Sequence, residues 1–96
     1  MKAPPKATVV GLVTPHLLRV IDLANDAESG VHVDWHVHDS VARTMGELGE
    51  QFNAPVVLAA YVEGLETAAA QAPKTREAYA RALQSAAVAA RRLKRE

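Results

Sequence analysis

The chain has 96 residues, of which 49% are hydrophobic and 23% charged, and its formal net charge is +0. A chain of this length has room for one hydrophobic core, so we expect a single domain at 7–96, preceded by a flexible lead-in at 1–6. The balanced charge excludes a general electrostatic attraction to nucleic acid or to an anionic membrane. The lack of cysteine excludes disulfides, thiolate catalysis and cysteine-based zinc sites.

Two properties of the whole chain bear on location and assembly. No stretch approaches the roughly 18 to 20 apolar residues of a membrane-spanning helix, and the proline-interrupted start does not fit a signal peptide. We therefore expect a soluble, cytoplasmic protein that does not contact a membrane. Alanine supplies much of the apolar content, and small side chains bury little area each. Together with the near-zero net charge, this favours a homo-oligomer.

The N-terminal part predicts a short strand followed by a helix. Residues 7–13, ATVVGLV, are rich in β-branched side chains, which suit a strand. Thr14 and Pro15 are residue types favoured at the N-cap and the first position of a helix. Gly30 marks the point at which that helix has ended.

The segment 31–40, VHVDWHVHDS, alternates between apolar and polar residues. This period of two predicts a second strand that pairs with the first and buries one face, either in the core or at an interface. The apolar face, which we predict to make protein contacts, consists of Val31, Val33, Trp35 and Val37. The polar face consists of His32, Asp34, His36 and His38.

Helical spacing follows this segment. Apolar residues recur at intervals of three and four from Asp39 or Ser40 onward, and Pro55 starts the next helix. Pro73 ends that helix, and a last helix starts near Thr75. The predicted fold is mainly α, a small bundle of about four helices with one or two short β-strands in the N-terminal half, and α+β if the strands pair.

The histidine-rich face has two functional interpretations besides that of a solvated surface. Zinc accepts imidazole and carboxylate ligands, so His32, Asp34, His36 and His38 are candidate ligands, although four positions in line on a strand extend too far to reach one ion together. Alternatively, protonation in mildly acidic solution would crowd positive charge on this face and disturb an interface.

A set of small, acidic and apolar residues surrounds a turn in the segment 44–62: Thr44, Glu47, Leu48, Gly49, Phe52 and Asn53. In this pattern the segment resembles the helix-turn-helix of bacterial repressors, which implies a DNA-binding regulator whose second helix, within 56–66, reads bases. Residues 56–60 depart from the family pattern, because VVLAA offers no side chain that hydrogen-bonds to base edges. Two packed helices of a bundle are the alternative.

The C-terminal helix carries the most concentrated positive charge. One side has Arg81, Ser85, Val88, Arg92 and Arg95 at helical spacing, and a nucleic-acid surface would use Lys74, Arg81, Arg92 and Arg95. Stabilisation of the helix macrodipole or an acidic protein partner would explain the same charges. Another side of the helix, which we predict to make protein contacts, carries Tyr79, Leu83, Ala86 and Ala90.

Enzyme motifs such as a phosphate-binding glycine loop or a nucleophile elbow are absent from the sequence. Only folding could bring a serine to a histidine, for instance to His16. We therefore expect a non-enzymatic interaction or structural subunit without a cofactor, which binds another copy of itself or another protein. A DNA-binding regulator and a histidine-based zinc protein are the alternatives.

Overall fold

The computed structural model describes residues 6–51 and 53–94, which form four α-helices. They are α1 (Lys6–Glu28), α2 (Asp34–Leu48), α3 (Ala54–Gln71) and α4 (Glu77–Lys94). The prediction of a mainly α bundle is confirmed, but the predicted strands are wrong, since the described residues contain no strand. Of the predicted lead-in, residues 1–5 lie outside the described ranges and Lys6 is the first residue of α1.

The segment predicted as the first strand, 7–13, belongs to α1. Val9 and Val13 are buried four residues apart, and Val20 and Ala24 continue the same helical face. Burial of this face against the other helices outweighs the local β-preference of the valines.

Pro15 lies inside α1 rather than at its first position. A proline has no amide hydrogen, so the Gly11 carbonyl loses its intrahelical donor at this turn. Just before it, Thr14 Oγ1 donates a hydrogen bond of 2.6 Å to the Val10 carbonyl. The proline side chain is exposed, and the helix continues past it.

The segment predicted as the second strand is a short connection followed by α2, which begins at Asp34. Val33 and Val37 are both buried, as the strand prediction required. A strand would also have buried Val31 and Trp35, which are instead 54% and 70% exposed. The spacing of four between the two buried valines continues along α2, so the helical period decides the structure of this segment.

The end of α1 is a Schellman arrangement. The amide of Gly30 donates to the carbonyl of Ala27 and the amide of Val31 to that of Asp26, both at 3.0 Å. Gly30 has a φ of 94°, which glycine adopts without a steric penalty. The predicted end of this helix near Gly30 is therefore confirmed.

Helix α4 packs against all three other helices and makes the most extensive contacts of the four. Its inward face is mostly alanine, and these small side chains let the neighbouring helices approach closely. The buried residues of this face are Ala82, Leu83, Ala86, Ala87 and Ala90. At its start, Arg76 donates to Asn25 Oδ1 near the end of α1 at 2.7 Å, so α1 and α4 run antiparallel. Contacts between α2 and α3 are few, which places these two helices on different sides of α4. None of the described helices has both the length and the apolar character of a membrane span.

Candidate functional site: a groove between helices α2 and α4

An open groove runs along the surface between α2 and α4, with a volume of about 650 Å³. We call it the α2/α4 groove. The side chains that line it are His38 and Ala42 of α2 and Arg81, Gln84, Ser85, Val88, Ala89, Arg92 and Leu93 of α4. The α4 members recur at intervals of three and four because they share the face of the helix that points away from the core.

The middle of the groove is apolar and its two ends are positively charged. Val88 is 52% exposed, with Ala42 and Ala89 beside it. Arg81 and Arg92 are eleven residues apart in the sequence, which puts them on the same side of α4 and roughly 16 Å apart along its axis. Within the described ranges, neither arginine forms an ion pair. The groove therefore offers an apolar surface between two arginines.

One polar contact crosses the groove. Ser85 Oγ lies 3.3 Å from His38 Nε2, so folding does bring a serine to a histidine. A serine nucleophile needs such a neighbour, but it also needs a group that orients the imidazole. Among the described residues, no hydrogen bond holds the other ring nitrogen of His38. The contact joins α2 to α4 midway along the groove.

The residues predicted to make protein contacts divide between the core and the surface. Five of them are buried inside the chain's own bundle: Val33, Val37, Leu83, Ala86 and Ala90. Val31 and Trp35 are exposed, and Tyr79 is half-buried below the Arg76 guanidinium, which lies 4.2 Å from the ring centre. Trp35 precedes His38 by three residues on α2, so it extends the same face beyond the groove.

The predicted zinc ligands do not converge. His32 and Asp34 line a separate hollow beside the connection from α1 to α2, whereas His38 lines the α2/α4 groove. His36 packs edge-on against the ring of Trp35, with 5.2 Å between centres. Residues two positions apart on a helix differ in direction by about 200°, so His36 and His38 point to different sides. In the described part of the chain, no group of three or more His, Asp or Glu side chains is placed to hold a metal.

The predicted nucleic-acid residues are partly brought together. Arg81 and Arg92 share the groove, whereas Lys74 is exposed in the turn between α3 and α4. Arg95 lies outside the described residues. Two of the four predicted contacts therefore form one surface.

The segment that resembles a helix-turn-helix does form two helices, with Asn53 in a left-handed conformation between them (φ 59°). Phe52 lies outside the described residues. Four residues of the predicted reading helix, 56–66, are buried in the core: Val57, Tyr61, Val62 and Leu65. The other residues of 56–66 include no lysine or arginine, so this surface offers nothing that attracts phosphate.

A second polar cluster lies inside the bundle. His16 Nδ1 is 3.5 Å from Thr44 Oγ1, and the His16 ring is edge-on to that of Tyr61 at 6.5 Å. Burial raises the pKa of Tyr61 to about 12, while the Thr44 hydroxyl and Arg19 act in the opposite direction. Thr44 nevertheless lies outside hydrogen-bonding geometry, so Tyr61 Oη has no partner among the described residues. Because Tyr61 is fully buried, the cluster belongs to the core.

Comparisons of the chain with known protein families, with curated proteins and with solved structures find no match. The proposal below is therefore based on the geometry of the groove. The spacing along α4 predicts one wall of the groove, but the opposite wall of His38 and Ala42 is not predicted, because the alternating pattern places His38 in a strand. The signal was present, since Trp35, His38 and Ala42 follow one another at helical intervals.

Proposed function

We propose that the protein is a non-enzymatic interaction subunit that self-associates by binding a helix of another copy in the α2/α4 groove. The observation that supports this proposal best is the exposed apolar surface around Val88. It lies between Arg81 and Arg92, which form no ion pair with another described residue. Removing such an apolar surface from water would stabilise a complex, and the two cations would orient the partner.

The shape of the groove favours a helical partner. Its α4 wall extends from Arg81 to Leu93, which corresponds to roughly 18 Å, or about three helical turns. A helix that lays an apolar stripe into a groove of this kind buries its contacts at intervals of three and four residues. Acidic residues beside that stripe would meet the arginines.

The charge of the whole chain favours another copy as the partner. The net charge is +0, so the positive groove is balanced by negative charge elsewhere on the same molecule. Two copies therefore do not repel each other as a whole, and the groove of one can face an acidic surface of the next.

A matched pair of substitutions tests the groove. Val88 and Leu18 are exposed to nearly the same extent, 52% and 54%, but only Val88 lines the groove. We expect the wild type and Leu18→Asp to associate in sedimentation velocity and Val88→Asp to sediment as a monomer. Circular dichroism would check that both variants retain the helical fold. Association of Val88→Asp at the wild-type level would overturn the proposal.

Binding to duplex DNA is a second candidate function, supported by the position of Arg81 and Arg92 along one groove. In that case Arg81→Ala/Arg92→Ala would weaken binding to every sequence and reduce the salt dependence by about two phosphate contacts. Fluorescence anisotropy of a labelled random duplex at several salt concentrations measures both effects. Self-association of the protein without binding of the labelled duplex at any salt concentration would favour self-assembly.

A further inference from the structure

We propose that the segment bound in the α2/α4 groove is α3 of the neighbouring copy, so that the copies assemble head to tail. This inference rests on the proposed self-association and adds the identity of the second surface. The contact between two copies then joins two different faces, the groove of one copy and α3 of the other.

The solvent side of α3 has the composition that the groove requires. We call it the α3 outer face; its exposed residues are Val56, Glu63, Thr67 and Ala70, with the half-buried Ala59 and Ala60 beside them. All six fall within an arc of about 100°. Val56 is 45% exposed, and Glu63 is the one charged residue of this face. Helix α3 contains no lysine or arginine. Its alanines would let it approach the groove closely, without bringing a cation near the arginines.

The spacing of the two surfaces is matched. On α3, Val56 and Glu63 are seven residues apart, and on α4, Arg81 and Val88 are also seven residues apart. Seven residues are close to two helical turns, roughly 10 Å, so each pair lies on one side of its helix. When α3 of one copy runs antiparallel to α4 of the next, Glu63 faces Arg81 and Val56 faces Val88 at the same time. This register joins an ion pair to an apolar contact.

The alternative of a groove packed against the groove of a second copy is unfavourable. A two-fold contact of that kind would bring Arg81 and Arg92 of each copy close to the same arginines of the other, and like charges repel.

The groove and α3 lie on different sides of α4. A contact between them leaves one free groove and one free α3 outer face at the ends of each dimer, so assembly continues until a ring closes or a chain forms.

Two blocking substitutions and their mixture test the arrangement. Val88→Asp blocks the groove and leaves the α3 outer face intact, whereas Val56→Asp does the reverse. We expect each variant alone to be monomeric by light scattering. An equimolar mixture should have the mass of one pair of chains, because one intact groove and one intact α3 outer face remain. Circular dichroism verifies that each variant is folded.

The outcomes separate this inference from the proposed function. A monomeric wild type would contradict the proposed self-association itself. If the wild type and Val56→Asp assemble and Val88→Asp is monomeric, the groove is the binding site but α3 is excluded as its occupant. Two monomeric variants whose mixture also stays monomeric would overturn the head-to-tail contact.

Charge exchange tests the register. We expect Arg81→Glu and Glu63→Arg each to weaken association about tenfold and the two together in one chain to restore most of it. Glu47→Arg, at an exposed acid of α2, serves as the control and should not rescue Arg81→Glu. Equal association of the single and exchanged variants would contradict the Glu63 to Arg81 contact.

Discussion

Leu17 of α1 lies directly over Gly64 of α3. A Cβ atom placed on Gly64 would be 2.7 Å from Leu17 Cδ1 and 3.0 Å from Leu17 Cδ2, closer than carbon atoms approach without a shift. The missing side chain at Gly64 therefore leaves room for the Leu17 side chain between α1 and α3.

Gly64→Ala should leave the free energy of unfolding unchanged or lower it. The added methyl group must displace the end of the Leu17 side chain, at a cost of up to about 1 to 3 kcal/mol, which offsets or exceeds the gain of about 0.5 to 1 kcal/mol in helix propensity. Gly46 of α2 is the control, because no atom would lie within 4 Å of a Cβ there, and Gly46→Ala should stabilise by about 0.5 to 1 kcal/mol. Urea denaturation measures both, and stabilisation by both substitutions would contradict the close packing.

Removal of the Tyr61 hydroxyl should leave stability unchanged or raise it. Tyr61 is fully buried and Oη has no hydrogen-bond partner among the described residues, so its desolvation is uncompensated. We expect the urea midpoint of Tyr61→Phe at neutral pH to equal or exceed that of the wild type. A clear drop in the midpoint would show that the hydroxyl is bonded in solution.

The same residue predicts a loss of stability in alkaline solution. Burial raises the pKa of Tyr61 to about 12, from 10.0. Between these values the unfolded chain has released the phenolic proton and the folded chain still holds it, so stability falls as the pH rises through this window. The urea midpoint should therefore fall more between pH 9 and pH 11 for the wild type than for Tyr61→Phe. An equal fall would contradict the shifted pKa.

Trp35→Ala distinguishes the helix from the strand first expected here. The side chain is 70% exposed on α2, so we expect a change in unfolding free energy below about 1 kcal/mol. A tryptophan on the buried face of a strand would cost about 3 to 5 kcal/mol. Thermal or urea unfolding gives the value, and the fluorescence emission of the wild type should be that of a solvated indole.

The helical bundle could be predicted from the sequence, but the structure of segments 7–13 and 31–40 could not. Val33 and Val37 satisfy a period of two as well as a period of four, so their burial does not decide between a strand and a helix. The decision lies in the tertiary contacts, which bury the face continued by Val41 and leave Trp35 in solvent. In the same way, the β-branched valines near the start of α1 favour a strand locally, although they lie in a helix.

The candidate site was half predictable for the same reason. The helical spacing of α4 placed Arg81, Val88 and Arg92 on one side, and the structure keeps them there. For the opposite wall, the helical spacing of Trp35, His38 and Ala42 indicates a helix, but no local pattern shows that this helix packs beside α4. The predicted contact surface of Leu83 and its neighbouring alanines is part of the core, because this side of α4 packs against the other helices.

The most direct test of groove-mediated self-association is the absolute mass of the wild-type chain, measured by light scattering at neutral pH from micromolar to millimolar concentration. We predict a mass that exceeds the 10.3 kDa of one chain and increases with concentration. A mass of 10.3 kDa across the whole range would contradict it.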